Sequence, residues 1–412
     1  MTKTNEFFNV QPVDAALDLL MQHWTPSTRT EDLDPRAALG RIMAETPVSN
    51  VELPAFRRSS VDGYAVRAAD TFGASASLPA YLDLAGSLEM GAAPAITLHL
   101  MQAAEIHTGG MLPEGADAVV MIERTQILSR SQIEVLSPVA PGENVIQVGE
   151  DVVTGAPILN VGQRIRPQDI GGLLGAGVLR VRVAARPRVG ILSSGDELVM
   201  PEEEPALGQI RDINAYTLAA LVEEAGGEAH VAGIARDRLE DFLALARAAY
   251  DRCDLLVITA GSSVGTRDLT RQVIESLGEP GILQHGLAVK PGKPTLLAVC
   301  ANKPVIGLPG NPVSAFLVAR QLVVPLIKRA SGEAEPPQAA ITARLSANIA
   351  SATGREDTVP VRLIERDGEV YAEPVFGKSN LIYTLVNADG LLLIPLNSGG
   401  LRAGTEVKVV LL

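Results

Sequence analysis

Lys290 and Lys293 stand on either side of Pro291-Gly292, at a turn that follows the apolar stretch Leu287-Ala-Val289 and precedes Pro294 and a second apolar strand. Two ammonium groups held near the end of a strand would neutralise a phosphate or another oxyanion. Two more such turns lie close by in sequence. Leu255–Ala260 runs into Gly261-Ser262-Ser263-Val-Gly265-Thr-Arg-Asp268, and Val305–Leu308 runs into Pro309-Gly310-Asn311-Pro312-Val-Ser314. Apolar runs ending in glycine- or proline-rich turns are the pattern of buried parallel strands, whose carboxyl ends bind ligands in open α/β sheets. Open backbone, two lysines and a carboxylate suit a phosphorylated substrate with a metal ion.

Each of these residues also has a plain structural reading. Asn311 suits a helix N-cap and Pro312 the first helical position; equally, the N–H groups of that helix start could face an anion. Asp268 is expected to begin a helix running to Leu277, either as its N-cap or as a magnesium ligand beside bound phosphates. Ser193-Ser-Gly-Asp196-Glu197 and Arg236-Asp237 put further carboxylates just after strands. Outside this region, Asp62-Gly63 reads as a turn, as do Thr108-Gly109-Gly110 and Gly149-Glu150-Asp151.

The elements that must position these residues follow from periodicity. From Arg186-Pro187 onward strand and helix alternate. Val189–Leu192 is a strand, Asn214–Ala225 a helix with Asn214 as its N-cap, and Ala229–Ile234 the next strand. Leu239–Tyr250 is a helix, Leu255–Thr259 a strand, and a last helix runs from Pro312 to about Ala330. This alternation predicts a parallel α/β sheet. Earlier in the chain, Val13, Ala16, Leu17, Leu20 and Met21 form a helical stripe over 12–24, and Pro35–Ile42 is expected to form a second short helix. Between Val48 and Val148, short segments such as Ala118–Ile122 and Gln132–Leu136 alternate with Gly and Pro turns, which predicts a β-rich insertion. Pro167 is expected to open another helix. Residues 331–337 read as a linker, and Ile341–Leu412 as β-rich. The expected organisation is therefore 10–47 with 150–185 as a discontinuous N-terminal unit, 48–149 as the insertion, 186–332 as the α/β domain and 338–412 as a C-terminal β domain.

Composition narrows the function. The chain has 412 residues, 47% of them hydrophobic but only 3% aromatic, so its cores must be built from aliphatic side chains. A net charge of −13 argues against a nucleic-acid surface, although local lysines can reverse the field inside a cleft. Cys253 and Cys300 have no metal-ligand spacing and read as buried thiols of a reducing compartment. The five histidines form no spaced pair suited to zinc and read as structural. No basic–apolar leader and no apolar run of membrane-spanning length are apparent, so a cytoplasmic protein without a membrane partner is expected.

Taken in order, several segments resemble the molybdopterin molybdotransferase (molybdenum insertase) family, related to the C-terminal domain of gephyrin. They are Asp62-Gly-Tyr-Ala-Val, Thr108-Gly with Pro113–Val120, Gly149-Glu-Asp151, Ser194-Gly-Asp-Glu-Leu198 and Arg236-Asp237. Then come Gly261 with Val264-Gly265 and Asp268, Lys290–Pro294, and Gly307–Ser314. The resemblance implies an elongated multidomain chain: a three-layer α/β domain of the molybdopterin-binding type, a β-rich insertion and a C-terminal β domain. It implies the last step of molybdenum cofactor synthesis, in which adenylylated molybdopterin and molybdate react and AMP is released. Asp268 is then the magnesium and nucleotide-phosphate carboxylate, and Asp62, Glu197 and Asp237 are acidic residues needed for activity. Gly261–Gly265, with Ser262 and Ser263, and Pro309–Pro312, with Gly310 and Asn311, form the pterin-nucleotide cradle. Lys290, Lys293 and Ser314 hold molybdate, with Arg355 and Ser379 as remaining anion contacts. Thr108 and Asp151 accompany Asp62 in contacting substrate. A homodimer is implied, since the insertion reaches the α/β domain of the other subunit, as is contact with other enzymes of cofactor synthesis.

The chain departs from the family at three places. Ala260-Gly-Ser-Ser263 stands where Gly-Gly-Val-Ser is usual, Ile146-Gln-Val148 where arginines are common, and Val61 where Met is usual. Rival readings are a divergent paralogue that inserts tungsten, a non-catalytic scaffold, and molybdopterin adenylyltransferase. The last has the α/β domain alone, and a scaffold has no need of Asp62, Glu197, Asp268, Lys290 and Lys293.

Overall fold

The computed structural model describes residues 10–261, 264–334 and 339–412, and of 264–267 the backbone alone. In chain order, α1 is Val13–His23, β1 Arg188–Ser194, α2 Asn214–Glu224, β2 Glu228–Ala235 and α3 Leu239–Arg252. Next come β3 Leu255–Ala260, α4 Val264–Ser276, β4 Pro280–His285 and β5 Val289–Lys290. The remaining labelled elements are β6 Leu296–Cys300, β7 Lys303–Pro309, α5 Pro312–Ser331 and β8 Glu356–Arg366.

The central sheet has the order β2-β1-β3-β7-β6-β4. Its strands alternate in the direction their side chains point, so each serves two cores. Ile191 and Val257 face a core closed by α1, α2 and α5, whereas Leu192, Leu256 and Ile258 face a second core closed by α3 and α4. Helices on both faces make this a three-layer α/β unit, the fold class expected. Phe242 of α3 is the largest side chain with no solvent exposure.

The sheet is not wholly parallel. β1, β2, β3 and β7 are parallel, but β6 runs antiparallel between β7 and β4. The lysine turn therefore does not end a parallel strand of this sheet. Instead, β5 leaves the α/β unit and pairs in parallel with β8, with Lys290 opposite Asp357. β8 belongs to a C-terminal sheet in which strands 356–366, 369–374, 341–345, 406–411 and 390–394 close on themselves through the 356–366/390–394 pairing, a small barrel.

The N-terminal region carries a separate six-stranded sheet over 63–135, and residues 30–33 pair with 181–184 beneath it in sequence. The short helix expected over Pro35–Ile42 is only the 3-10 turn Pro35–Ala37, where Asp34 accepts a bond from the Arg36 N–H. Asp62-Gly63 is not a turn either. Gly63 opens a strand whose neighbour comes so close that a β-carbon would lie 1.9 Å from the Val120 carbonyl oxygen. Replacing Phe242 with Ala is expected to destabilise the α/β unit by about 3–5 kcal/mol, read as a lowered denaturant midpoint.

Candidate functional site

All the turns picked out in the α/β region come to one edge of the sheet. β1 ends at Ser194, β2 at Ala235, β3 at Ala260 and β7 at Pro309, while antiparallel β6 starts there after Lys293-Pro294. The strand order makes this edge a gradient, acidic at the β2/β1 side and cationic at the β6 side.

At the acidic side, the Ser194 hydroxyl donates to Asp237 Oδ1 at 3.2 Å, and the Asp237 N–H donates to Asp196 Oδ1 at 3.2 Å. Arg236 Nη1 bonds the carbonyls of Asp196 and Leu198, and the Glu197 carboxylate packs back over Gly195. Ser193 and Thr259, paired across β1 and β3, share a buried hydroxyl contact of 3.1 Å beneath the cluster. Register thus brings Asp196 and Asp237 together from turns 41 residues apart in sequence, with Glu197 next to Asp196 in its turn.

At the cationic side, a cavity of about 460 Å³ lies between the sheet edge and the barrel. Lys290, Lys293, Pro309, Asn311, Ser314, Arg355 and Ser379 all line it. Among the described residues every charged side chain on its wall is cationic. The Asn311 amide donates to Ser379 Oγ at 2.9 Å, and the Val313 N–H donates to the Ser379 carbonyl at 3.0 Å. Asn311 therefore makes no side-chain cap for α5; it fastens the helix to the barrel. The first turn of α5 is correspondingly not an open row of donors, because Pro312 has no N–H and that of Val313 is taken.

The turn before α5 is held from behind. Asn214 is the first residue of α2, not its cap, and donates from Nδ2 to the Gly310 carbonyl at 2.8 Å. Asp212 accepts the Ala215 N–H in the capping role instead. Gly310 sits against the end of β3: a β-carbon there would lie 2.8 Å from the Ala260 carbonyl oxygen and 3.2 Å from Gly261 Cα. Gly261 and the Pro309–Pro312 turn are therefore one packed unit. Ser262 and Ser263 lie outside the described residues.

α4 begins at Val264, so Gly265 and Asp268 lie inside it and Asp268 is no N-cap; its side chain is exposed. Among the described residues no three His, Cys, Asp or Glu side chains gather as a metal cage. A single exposed carboxylate does fit magnesium shared with substrate phosphates, the mode in which this ion keeps one or two protein ligands.

Asp62 and Thr108 form a second cluster on the N-terminal sheet. Gly63 pairs with Ile106, which sets Asp62 beside the following turn. Its Oδ1 accepts the Thr108 N–H at 2.8 Å and the Thr108 hydroxyl at 3.2 Å, with His107 Nδ1 at 3.5 Å. The Thr108 N–H bond above all, with His107 nearby, holds the Asp62 carboxyl below its usual range. It is therefore ionised at neutral pH. Asp151 sits apart, in a turn whose N–H bonds the Leu53 carbonyl. Three residues were missed on sequence: His107, read as structural, Asn214, read as a cap, and Asp357. Their only signal is adjacency, to Thr108, Asp212 and Arg355 respectively.

A three-layer α/β unit thus faces a barrel across a cationic cleft suited to an oxyanion, with a carboxylate cluster farther along the same sheet edge. Residues 11–177 match the MoeA N-terminal region (domains I and II), 190–329 the probable molybdopterin binding domain, and 342–412 the MoeA C-terminal region (domain IV). The chain belongs to the MoeA family. The molybdopterin molybdenumtransferase of Haemophilus influenzae is 33% identical over 96% of this chain and 97% of its own. Two crystal structures of molybdopterin biosynthesis MoeA proteins from Pyrococcus horikoshii are similar throughout. One has TM-score 0.81 and 38% identity over 98% of this chain and 99% of its own; the other has TM-score 0.85 and 31% identity over 98% and 100%.

The contact at Gly310 yields a test. Gly310→Ala should push the turn away from Ala260, lowering activity by about tenfold or more while costing about 1–3 kcal/mol in stability. Steady-state rates beside a melting curve would check it.

Proposed function

We propose that this chain is a molybdopterin molybdotransferase: it inserts molybdate into adenylylated molybdopterin and releases AMP, the last step of molybdenum cofactor biosynthesis. The observation that carries the reading is the 460 Å³ cavity whose charged wall residues among those described, Lys290, Lys293 and Arg355, are all cationic in a chain of net charge −13. Such a field concentrates a small dianion where the bulk surface would repel it.

In this reading Lys290, Lys293 and Arg355 neutralise molybdate, and the Ser314 and Ser379 hydroxyls donate to its oxygens. Gly261, Gly265 and the Pro309–Pro312 turn, with Gly310 and Asn311, cradle the pterin nucleotide by allowing close approach of backbone. Asp268 holds magnesium together with the nucleotide phosphates; the ion, when bound, neutralises charge on the phosphoanhydride that breaks as AMP leaves. Glu197 and Asp237 face the same edge and orient the reacting groups. Asp62 and Thr108 act from a partner subunit's N-terminal sheet, and Asp151 contacts substrate from its separate turn. The active protein is accordingly a homodimer. A cytoplasmic location fits its substrates, and among the described residues no helix is long and apolar enough to cross a membrane. Other enzymes of cofactor synthesis supply the adenylylated pterin and take the product. Tungstate shares the charge and shape of molybdate, and the same cleft accommodates it.

The test is AMP release by purified protein given adenylylated molybdopterin, magnesium and molybdate. Asp268→Ala should reduce the rate by about a hundredfold or more, the scale of losing a group that stabilises developing charge. Unchanged release in that variant would sink the assignment. Lys293→Ala should act differently, raising the molybdate KM by about tenfold with less effect on saturation by the pterin.

A further inference from the structure

Lys290 and Arg355 are two cations aimed into one cleft, and each is exposed, at 56% and 37% of the side chain. Behind them lies Asp357, whose side chain is only 4% exposed. One carboxylate oxygen, Oδ1, accepts the Arg355 Nε–H at 2.9 Å; the other, Oδ2, lies 3.6 Å from Lys290 Nζ. The parallel ladder between β5 and β8 sets this geometry, since Lys290 and Asp357 are direct partners in it. Asp357 does not line the 460 Å³ cavity; it lies on the wall of an adjoining cavity of about 700 Å³ that shares Lys290, Pro291 and Ser379 with it.

We propose that Asp357 is a positioning residue that holds Lys290 and Arg355 for the oxyanion. This rests on reading the cleft as the molybdate site. Like charges converging on an empty cleft repel, so they need a counterion to stay in place. A carboxylate inside the cleft would compete with the incoming anion. One placed behind the wall holds both cations and leaves the space clear. It also consumes little of their donor capacity. Arg355 uses its Nε–H, leaving the four terminal N–H groups, and Lys290 contributes charge at a distance beyond hydrogen bonding.

The experiment is equilibrium binding of sodium molybdate to the full-length protein by calorimetry, without the pterin substrate. Asp357→Asn keeps the shape and removes the charge. Positioning predicts weaker binding, by about tenfold, although the variant makes the cleft more positive. Unchanged or tighter binding overturns the proposal, because simple Coulombic addition gives that sign. Asp357→Glu keeps the charge but displaces it by one methylene and is expected to bind between wild type and the Asn variant. Should the Asn variant not fold, wild-type affinity in the Glu variant is the overturning result. In turnover, the Asn variant should raise the molybdate KM while the KM for adenylylated molybdopterin stays within about twofold, a split that general loss of structure would not produce. Lys293→Ala serves as the control for the underlying reading. If that variant binds molybdate like wild type, the cleft is not the molybdate site and the proposal falls with it. If it loses binding while Asp357→Asn does not, only the positioning role fails.

Discussion

Two residues of β-structure hold the site together. Val289 and Lys290 pair with Glu356 and Asp357, and this short ladder is where the α/β unit and the barrel share a backbone surface. It is reinforced on one side by the Glu356 N–H bonded to the Ala288 carbonyl, and across the cleft by Ser379 bonded to Asn311 and Val313. The cleft is thus framed by hydrogen bonds on two opposite walls. Neither unit alone presents Lys290, Lys293, Arg355 and Ser379 to a common point.

Charge along the sheet edge follows from strand order. Carboxylates leave β1 and β2, and cations flank β6 and the barrel strand β8 that faces the same edge, so the two signs stand at opposite ends of the strand-end edge. An anionic leaving group and an anionic substrate need cationic surroundings, whereas proton handling and orientation need carboxylates. Separating the two along the edge keeps each set available. Burial adds a local effect beside the cleft, pushing the Glu356 carboxyl up, with Asp14 of α1 adding to the shift.

Much of this arrangement is legible in residues alone, and the exceptions share a cause. The alternation of Val, Leu and Ile runs with helical stripes places β1, α2, β2, α3, β3 and α5 within a residue or two, because buried strands and amphipathic helices leave strong periodic traces. The lysine turn misleads because Leu287-Ala-Val289 is as apolar as a sheet strand, and nothing local says that it pairs with residue 356 rather than with its neighbours. Asn214 and Asn311 mislead in another way. Each sits where a cap belongs, and each donates its amide to a loop about seventy or a hundred residues distant. Asp268 lies inside α4 because the helix starts earlier, at Val264, than its cap-forming residue types suggest. Long-range pairing is what a sequence hides best.

The strand pair 30–33 with 181–184 has a consequence for how the chain is made. Its ion pair Arg182–Asp32 joins residues 150 apart, and the whole N-terminal sheet lies between them. During synthesis at about 5–20 residues per second, the first strand waits roughly 10–30 s for its partner to leave the ribosome. The intervening sheet, with its own closed core, has that interval in which to fold. Vectorial translation thus orders assembly from the inside of this loop outward, and a pause in the messenger between the codons for residues 135 and 181 would lengthen the time strand 30–33 spends without a partner.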